Sequence, residues 1–173
     1  MYIKVLGILL TITSSTLIGL HYSRSLVYRL EGLQNLKKTL IMLRGEIKYS
    51  LSPLPEALED ISNRSNNVFK EFLKMVSQEL KKFDGNNLHH IWCAAIEQKL
   101  KNTYLKKQDL LKIEQIGETL GYLDKEMQIN TINMYIEQLE EEIKFVSENN
   151  IKSEKLYKNL GFLGGILIAI LFI

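Results

Sequence analysis

Apolar positions follow two different patterns along the chain. From Val5 to Leu20 no charged side chain occurs, and Tyr2 and Tyr22 flank this run. It approaches the roughly 20 residues that a helix needs to cross a bilayer core, with the tyrosines at the interfaces and Lys4 snorkelling outward. Leu160 to Ile173 is a second uncharged run, of 14 residues. As a helix it reaches only about 21 Å, and Tyr157 and Lys158 extend it at one interface. That length also suits a buried core helix, but no polar face remains. For the first run, Lys4 followed by apolar residues also fits a secretory signal peptide. However, no A-x-A site follows it, and helical periodicity continues past Arg24. The expected organisation is an N-terminal transmembrane helix at 1–22, a helical domain at 23–158 and a C-terminal transmembrane helix at 159–173.

Between the runs the pattern is helical. Leu26, Leu30, Leu33, Leu36, Leu40, Leu43, Ile47 and Leu51 recur at spacings of three and four, the stripe of a helix that continues out of the first run. Gly32 and Gly45 weaken it locally by about 1 kcal/mol each relative to Ala. Ser52-Pro53-Leu54-Pro55 stops it, and Pro55 suits the first turn of the next helix, Glu56 to Ser62. A polar turn over Asn63–Asn67 leads to a helix from Val68 to Phe83. A turn over 84–87 then supplies an Asn cap for a helix from Leu88 to Tyr104. Asp109 to Thr119 is predicted as a further helix ended by Gly121, and Asp124 caps the last one. In that final helix Ile129, Ile132, Ile136, Leu139, Ile143 and Val146 are spaced 3-4-3-4-3, a short heptad-like seam. Glu137, Glu140, Glu141 and Glu142 form its solvated face. Asn149-Asn150 would carry the helix into the closing run. About six helices with short turns predict an all-α, antiparallel up-and-down bundle.

Small residues sit at helix-interface spacing in both apolar runs. Ser15 and Gly19 form one small-xxx-small pair and Gly161 and Gly165 another, with Gly164 beside them. Such pairs let helix backbones approach closely in lipid. Basic residues cluster just inside the runs, at Arg24, Arg29, Lys37 and Lys38 and at Lys152, Lys155 and Lys158, against Lys4 alone outside. The positive-inside rule therefore puts residues 24–158 in the cytoplasm and both termini on the far side.

Composition narrows the function classes. Hydrophobic residues at 46% and charged residues at 24% exclude a disordered chain. The 22 basic and 20 acidic side chains leave a net charge of +2, which argues against nucleic-acid binding. A single cysteine, Cys93, excludes an internal disulfide framework. The phosphate-binding, zinc-protease and EF-hand motifs are absent. His89, His90 and Cys93 form the one metal-like cluster. A zinc site needs about four ligands, so Glu97 or Asp84 would have to complete it, and neither a metal nor a cofactor is expected. Glu56, Glu59 and Asp60 form an acidic patch with nothing beside it to position a substrate. No catalytic residue is assigned, and the chain is expected not to be an enzyme.

Two stretches carry a family resemblance. The first is Leu43-Arg44-Gly45-Glu46-Ile47-Lys48-Tyr49-Ser50-Leu51-Ser52-Pro53-Leu54-Pro55-Glu56-Ala57-Leu58, and the second is Leu120-Gly121-Tyr122-Leu123-Asp124-Lys125-Glu126-Met127-Gln128. Together with the apolar run at each end and the total length, they make the chain resemble the stage III sporulation protein AB family. That family is similar to the F-type inner-membrane platform proteins of type II secretion and type IV pilus systems. The resemblance implies an F-domain-like bundle and a non-enzymatic platform in the mother cell membrane (the outer forespore membrane) of endospore-forming bacteria. The platform would belong to a channel or secretion complex between mother cell and forespore, and would couple a cytoplasmic secretion-type ATPase to the other membrane subunits. By motif matching, Pro53, Leu54, Glu56 and Ala57 shape a first corner and Leu120, Gly121, Asp124 and Gln128 a second, with partner contacts at Glu56 or Asp124. Platform proteins usually carry two copies of this domain and this chain carries one, which raises pairing of two chains as a homodimer. The alternative is a generic membrane-tethered helical adaptor, or a signalling stalk that dimerises along the acidic last helix.

Overall fold

The computed structural model describes residues 2–50, 52–82, 85, 87–120 and 124–171. Among them the chain is all-helical: α1 (Tyr2–Tyr49), α2 (Leu54–Arg64), α3 (Phe69–Lys81), α4 (Leu88–Ala95) followed by a π-helical turn (Ile96–Leu100), α5 (Lys107–Leu120) and α6 (Lys125–Leu171). Two of these helices are far longer than the rest, with α1 at 48 residues and α6 at 47. The expected passage of helix from each apolar run into the central segment is therefore present in both. The chain divides into two compact units, Glu31–Ile143, and Met1–Leu30 with Lys144–Ile173.

In the Glu31–Ile143 unit the predicted stripes form the core. Leu33, Leu36, Leu40 and Leu43 of α1 are buried, as are Ile132, Ile136 and Leu139 of the heptad-like seam. The two long helices are antiparallel here: Arg44 donates to the Asn133 side chain at 2.8 Å, and Lys37 lies 3.4 Å from Glu140. The acidic face is solvated at Glu137, Glu140 and Glu141, whereas Glu142 is half-buried and paired with Lys112.

Polar caps explain where the helices start and stop. Pro53 is the N-cap of α2, so that helix opens at Leu54, two residues before the expected Glu56, and it ends at Arg64 rather than Ser62. Two buried serines join α2 to α3, Ser62 donating to the Lys70 carbonyl and Ser77 to the Pro55 carbonyl, and buried Ser65 closes α2 by donating to the Ile61 carbonyl, all at 2.7–2.9 Å. α3 starts one residue later than expected, because the Asn67 carboxamide accepts from the Phe69 N–H, and Val68 stays exposed. Gly85 takes φ +72°, a conformation that suits glycine in the turn, and Asn87 caps α4 by accepting from the His89 N–H at 3.1 Å. The expected ends at Phe83 and Gly121 lie outside the described residues.

The largest departure is at 88–104. The helix predicted to reach Tyr104 widens at Ile96–Leu100, where the Lys101 N–H reaches back five residues to the Ile96 carbonyl at 3.1 Å. The Thr103 hydroxyl then takes the Leu100 carbonyl at 2.6 Å and the helix stops. The widened turn places Ile96 and Leu100 in the core, and Leu105 follows them in. Leu105 packs where a side chain at Gly32 would stand, since a Cβ there would lie 2.9 Å from Leu105 Cδ2. α5 opens at Lys107, before the expected Asp109, because the buried Asp109 carboxylate reaches back to the Lys106 N–H at 2.8 Å, as in a capping box.

Trp92 locks α4 onto α5. Its Nε1–H donates to the Ile113 carbonyl at 2.8 Å, and its ring meets Phe72 edge-on at 4.9 Å and lies over Gly117. A Cβ at Gly117 would fall 2.4 Å from Trp92 Cδ1. Gly117→Ala should therefore lower stability by about 1–3 kcal/mol despite its better helix propensity. Gly45, with nothing within 4 Å of its Cβ position, should respond in the opposite sense, with Gly45→Ala gaining about 0.5–1 kcal/mol. Thermal unfolding of the full chain in detergent compares the two.

Candidate functional site

Leu54 and Ala57 from the first corner and Leu120 and Gln128 from the second line one open cleft of about 340 Å³, together with Glu46, Ile47, Ser50, Ser52 and Lys125. Hydrogen bonds shape both corners. The first begins where Ser50 closes α1 by donating its N–H to the Glu46 carbonyl at 2.8 Å, while its hydroxyl accepts from Ser52 N–H at 3.0 Å. At the second, the Asp124 carboxylate accepts from the Met127 N–H at 2.9 Å, which caps α6 as the sequence predicts. Gln128 Nε2 donates to the Leu120 carbonyl at 3.0 Å and so ties the start of α6 to the end of α5. Pro53, Glu56 and Asp124 face solvent, and Gly121 lies outside the described residues. Four of the eight corner residues thus share the cleft. Glu46 and Lys125 add charge to it, with Glu46 paired to Arg64. Their side chains lie inside the two resembling stretches, but nothing in the helical spacing sets them apart.

The small residues belong to the other unit, where α1 and α6 run antiparallel. Gly165 meets Ile12 and Ser15, the Ser15 hydroxyl donates to the Gly161 carbonyl at 2.7 Å, and Gly19 lies against Tyr157 and Gly161. Tyr22 stacks on Tyr157 at 5.9 Å, and Asn150 Nδ2 donates to the Leu26 carbonyl at 2.9 Å. The contact is backbone to backbone, since a Cβ on Gly19 would lie 2.6 Å from the Tyr157 carbonyl oxygen and one on Gly161 2.9 Å from that of Ser15. The sequence left open whether these pairs face each other or partner chains; within this unit they face each other. The outward faces are apolar, with Leu6, Leu9, Leu10, Leu17, Ile18, Leu160, Phe162, Leu163 and Leu167 exposed. By length and composition α1 is the one described helix able to cross a membrane, and Asn159–Ile170 is a shorter apolar segment.

The candidate metal ligands are also rearranged. Glu97 is exposed and pairs with Lys101, and Asp84 lies outside the described residues. The carboxylates that approach His89 and Cys93 are Glu114 and Glu118 of α5. Burial and the Glu114 carboxylate push the Cys93 thiol pKa up, so it is not an activated nucleophile. The acidic patch is structural at Glu59, which pairs with Lys81 and pushes that ammonium's pKa up.

Comparison with known proteins places this architecture. The family model described as stage III sporulation protein AB matches residues 4–173. The chain belongs to that family. A relative of the same description, from Bacillus subtilis (strain 168), is 27% identical over 169 residues, which cover 98% of each chain. A solved structure of stage III sporulation protein AB (SpoIIIAB) superposes with a TM-score of 0.65 at 23% identity, covering 72% of this chain and 97% of that one. At that identity the likeness speaks to the fold alone. The family model spans both the cleft and the glycine-paired helices.

The helix pair gives a direct test. Gly161→Ile should force the two backbones apart and cost about 1–3 kcal/mol, seen as a lower unfolding midpoint in detergent. Gly7→Ile, at a position with nothing within 4 Å, should leave the midpoint unchanged.

Proposed function

We propose that this protein is a non-enzymatic membrane platform in the complex that connects mother cell and forespore during endospore formation. In this role it couples a cytoplasmic secretion-type ATPase to the other membrane subunits. The observation that carries the reading is the close-packed α1–α6 pair, whose backbones touch at Gly19 and Gly161 while leucine, isoleucine and phenylalanine cover the outside. In water that outer surface would be a large exposed apolar patch, whereas in lipid it is the expected one. Family membership supplies the sporulation context.

The pair inserts with both termini on the far side, because the basic residues flank its inner ends. The Glu31–Ile143 unit then stands in the cytoplasm of the mother cell as a type II secretion F-domain-like bundle. It presents the corner cleft and the solvent-facing Glu56 and Asp124 to the ATPase. Motor-driven movement passes between bundle and membrane through α1 and α6, the helices that both units share. The seam residues Ile132, Ile136 and Leu139 are already buried within one chain, which argues against a stalk dimerised along them. Two chains paired through another face would restore the domain count of the two-copy platforms.

Two measurements test the reading. The full chain should stay in the pellet on alkaline carbonate extraction, and a photo-crosslinker at position 56 should capture the ATPase in sporulating cells. Release into the supernatant, or capture equal to that of a crosslinker on the exposed acidic face at position 141, would overturn it. A flexible glycine insertion after Ile151 should abolish sporulation while the protein still folds and inserts. Normal spore yield would refute coupling through α6.

A further inference from the structure

We propose that α4 and α5 hold a divalent zinc ion between His89, Cys93, Glu114 and Glu118. Each helix offers two candidate ligands at i,i+4 spacing, His89 with Cys93 and Glu114 with Glu118, and residues so spaced share a helix face. The donors converge. Cys93 Sγ lies 3.6 Å from His89 Nε2 and 3.6 Å from Glu114 Oε1, and His89 Nε2 lies 3.8 Å from Glu118 Oε1. One ligand atom each from His89, Cys93 and Glu114 falls within a sphere of mutual distances below 4.8 Å. A tetrahedral ion with bonds of about 2.0–2.3 Å sets its ligand atoms roughly 3.3–3.6 Å apart. The donors of His89, Cys93 and Glu114 thus stand near the required spacing, and the exposed Glu118, which approaches His89 but lies outside that trio, swings in as the fourth ligand.

The scaffold beneath them is rigid. Trp92, next to Cys93, is hydrogen-bonded to the Ile113 carbonyl beside Glu114 and packs on Gly117 beside Glu118. The same contact that locks α4 to α5 therefore turns the two ligand pairs toward each other. His90 points away, is exposed and takes no part. The donor set of one thiolate, one imidazole and carboxylates selects a borderline-soft transition ion over magnesium or calcium, which prefer all-oxygen shells. The Cys93 thiol hydrogen points at the Glu114 carboxylate. On binding, that proton leaves to solvent as the sulfur–zinc bond forms, and the dication offsets the negative charge of the new thiolate and the Glu114 carboxylate beside it. The half-buried position of His89, Cys93 and Glu114 leaves the ion reachable from solvent.

The test uses the full chain in detergent, stripped with chelator and titrated with Zn²⁺ alone, with Co²⁺ as the spectroscopic probe. The expected result is one ion per chain, with tetrahedral Co²⁺ bands and a thiolate charge-transfer band. Cys93→Ser should remove the charge-transfer band and weaken Zn²⁺ binding at least about 100-fold, more than the loss of an outer-shell partner. Glu114→Gln should also weaken it, and His90→Gln should bind as the unsubstituted chain does. Circular dichroism confirms that each variant is helical. No Zn²⁺ binding by the folded unsubstituted chain, or equal binding in Cys93→Ser and Glu114→Gln, would overturn the site.

Discussion

Contact between the backbones of α1 and α6 at Gly19 and Gly161 is the constraint on which the proposed membrane part depends. Apolar side chains on the outside cannot drive two helices together in lipid, because lipid tails solvate them equally well. What remains is van der Waals contact and hydrogen bonding at short range, and both need small residues. Ser15 supplies the two at once: its Cβ lies only 3.1 Å from where a Cβ on Gly165 would stand, room that glycine leaves free, and its hydroxyl donates to the Gly161 carbonyl. Asn150 and the Tyr22–Tyr157 stack continue the contact toward the polar end of the same unit. There a buried carboxamide is satisfied by the Leu26 carbonyl rather than left unpaired in an apolar setting.

The Glu31–Ile143 unit uses the same device in a different solvent. Gly32 and Gly117 look like defects in helix propensity, each costing about 1 kcal/mol, yet each is a socket. Leu105 fills the first and Trp92 the second. A large side chain seated on a helix backbone buries more apolar area than the glycine forfeits, about 25 cal/mol per Å². It also fixes the rotation of the helix that carries it. That rotation brings the α4 and α5 ligand faces together, and Leu105 sits in the core only because the π-helical turn before it ends the preceding helix early.

Long-period features were legible in the sequence and short-range polar geometry was not. The leucine stripe of α1 up to Ile47, the seam of α6 and the caps at Asn87 and Asp124 follow from spacing and residue type, with Leu51 outside the described residues. The π-helical turn at Ile96–Leu100 escaped because nothing in I-E-Q-K-L distinguishes a five-residue hydrogen bond from a four-residue one. The early start of α5 depends on Asp109 folding back onto Lys106, a contact that a preference for Asp at the cap position itself misassigns. Glu114 and Glu118 were missed as neighbours of His89 and Cys93 because they lie 21 or more positions along the chain, on another helix. Their own i,i+4 spacing was the available signal, and it becomes informative only once Trp92 has set α4 against α5. Of the corner residues in the two resembling stretches, Leu54, Ala57, Leu120 and Gln128 line one cleft, a convergence that spacing along the chain does not reveal.

The cleft and the helix pair place different demands on the same two helices. Near their outer ends α1 and α6 expose leucine, isoleucine and phenylalanine, whereas within Glu31–Ile143 they are amphipathic. A helix that changes from one regime to the other without a break leaves few positions free to vary in the segment where the pattern turns over. Arg29 is buried there, and Asn150 is hydrogen-bonded across the pair, so the changeover is made within continuous helix and not with a loop. Uninterrupted helix through the changeover is what the proposed transmission requires, and both α1 and α6 supply it.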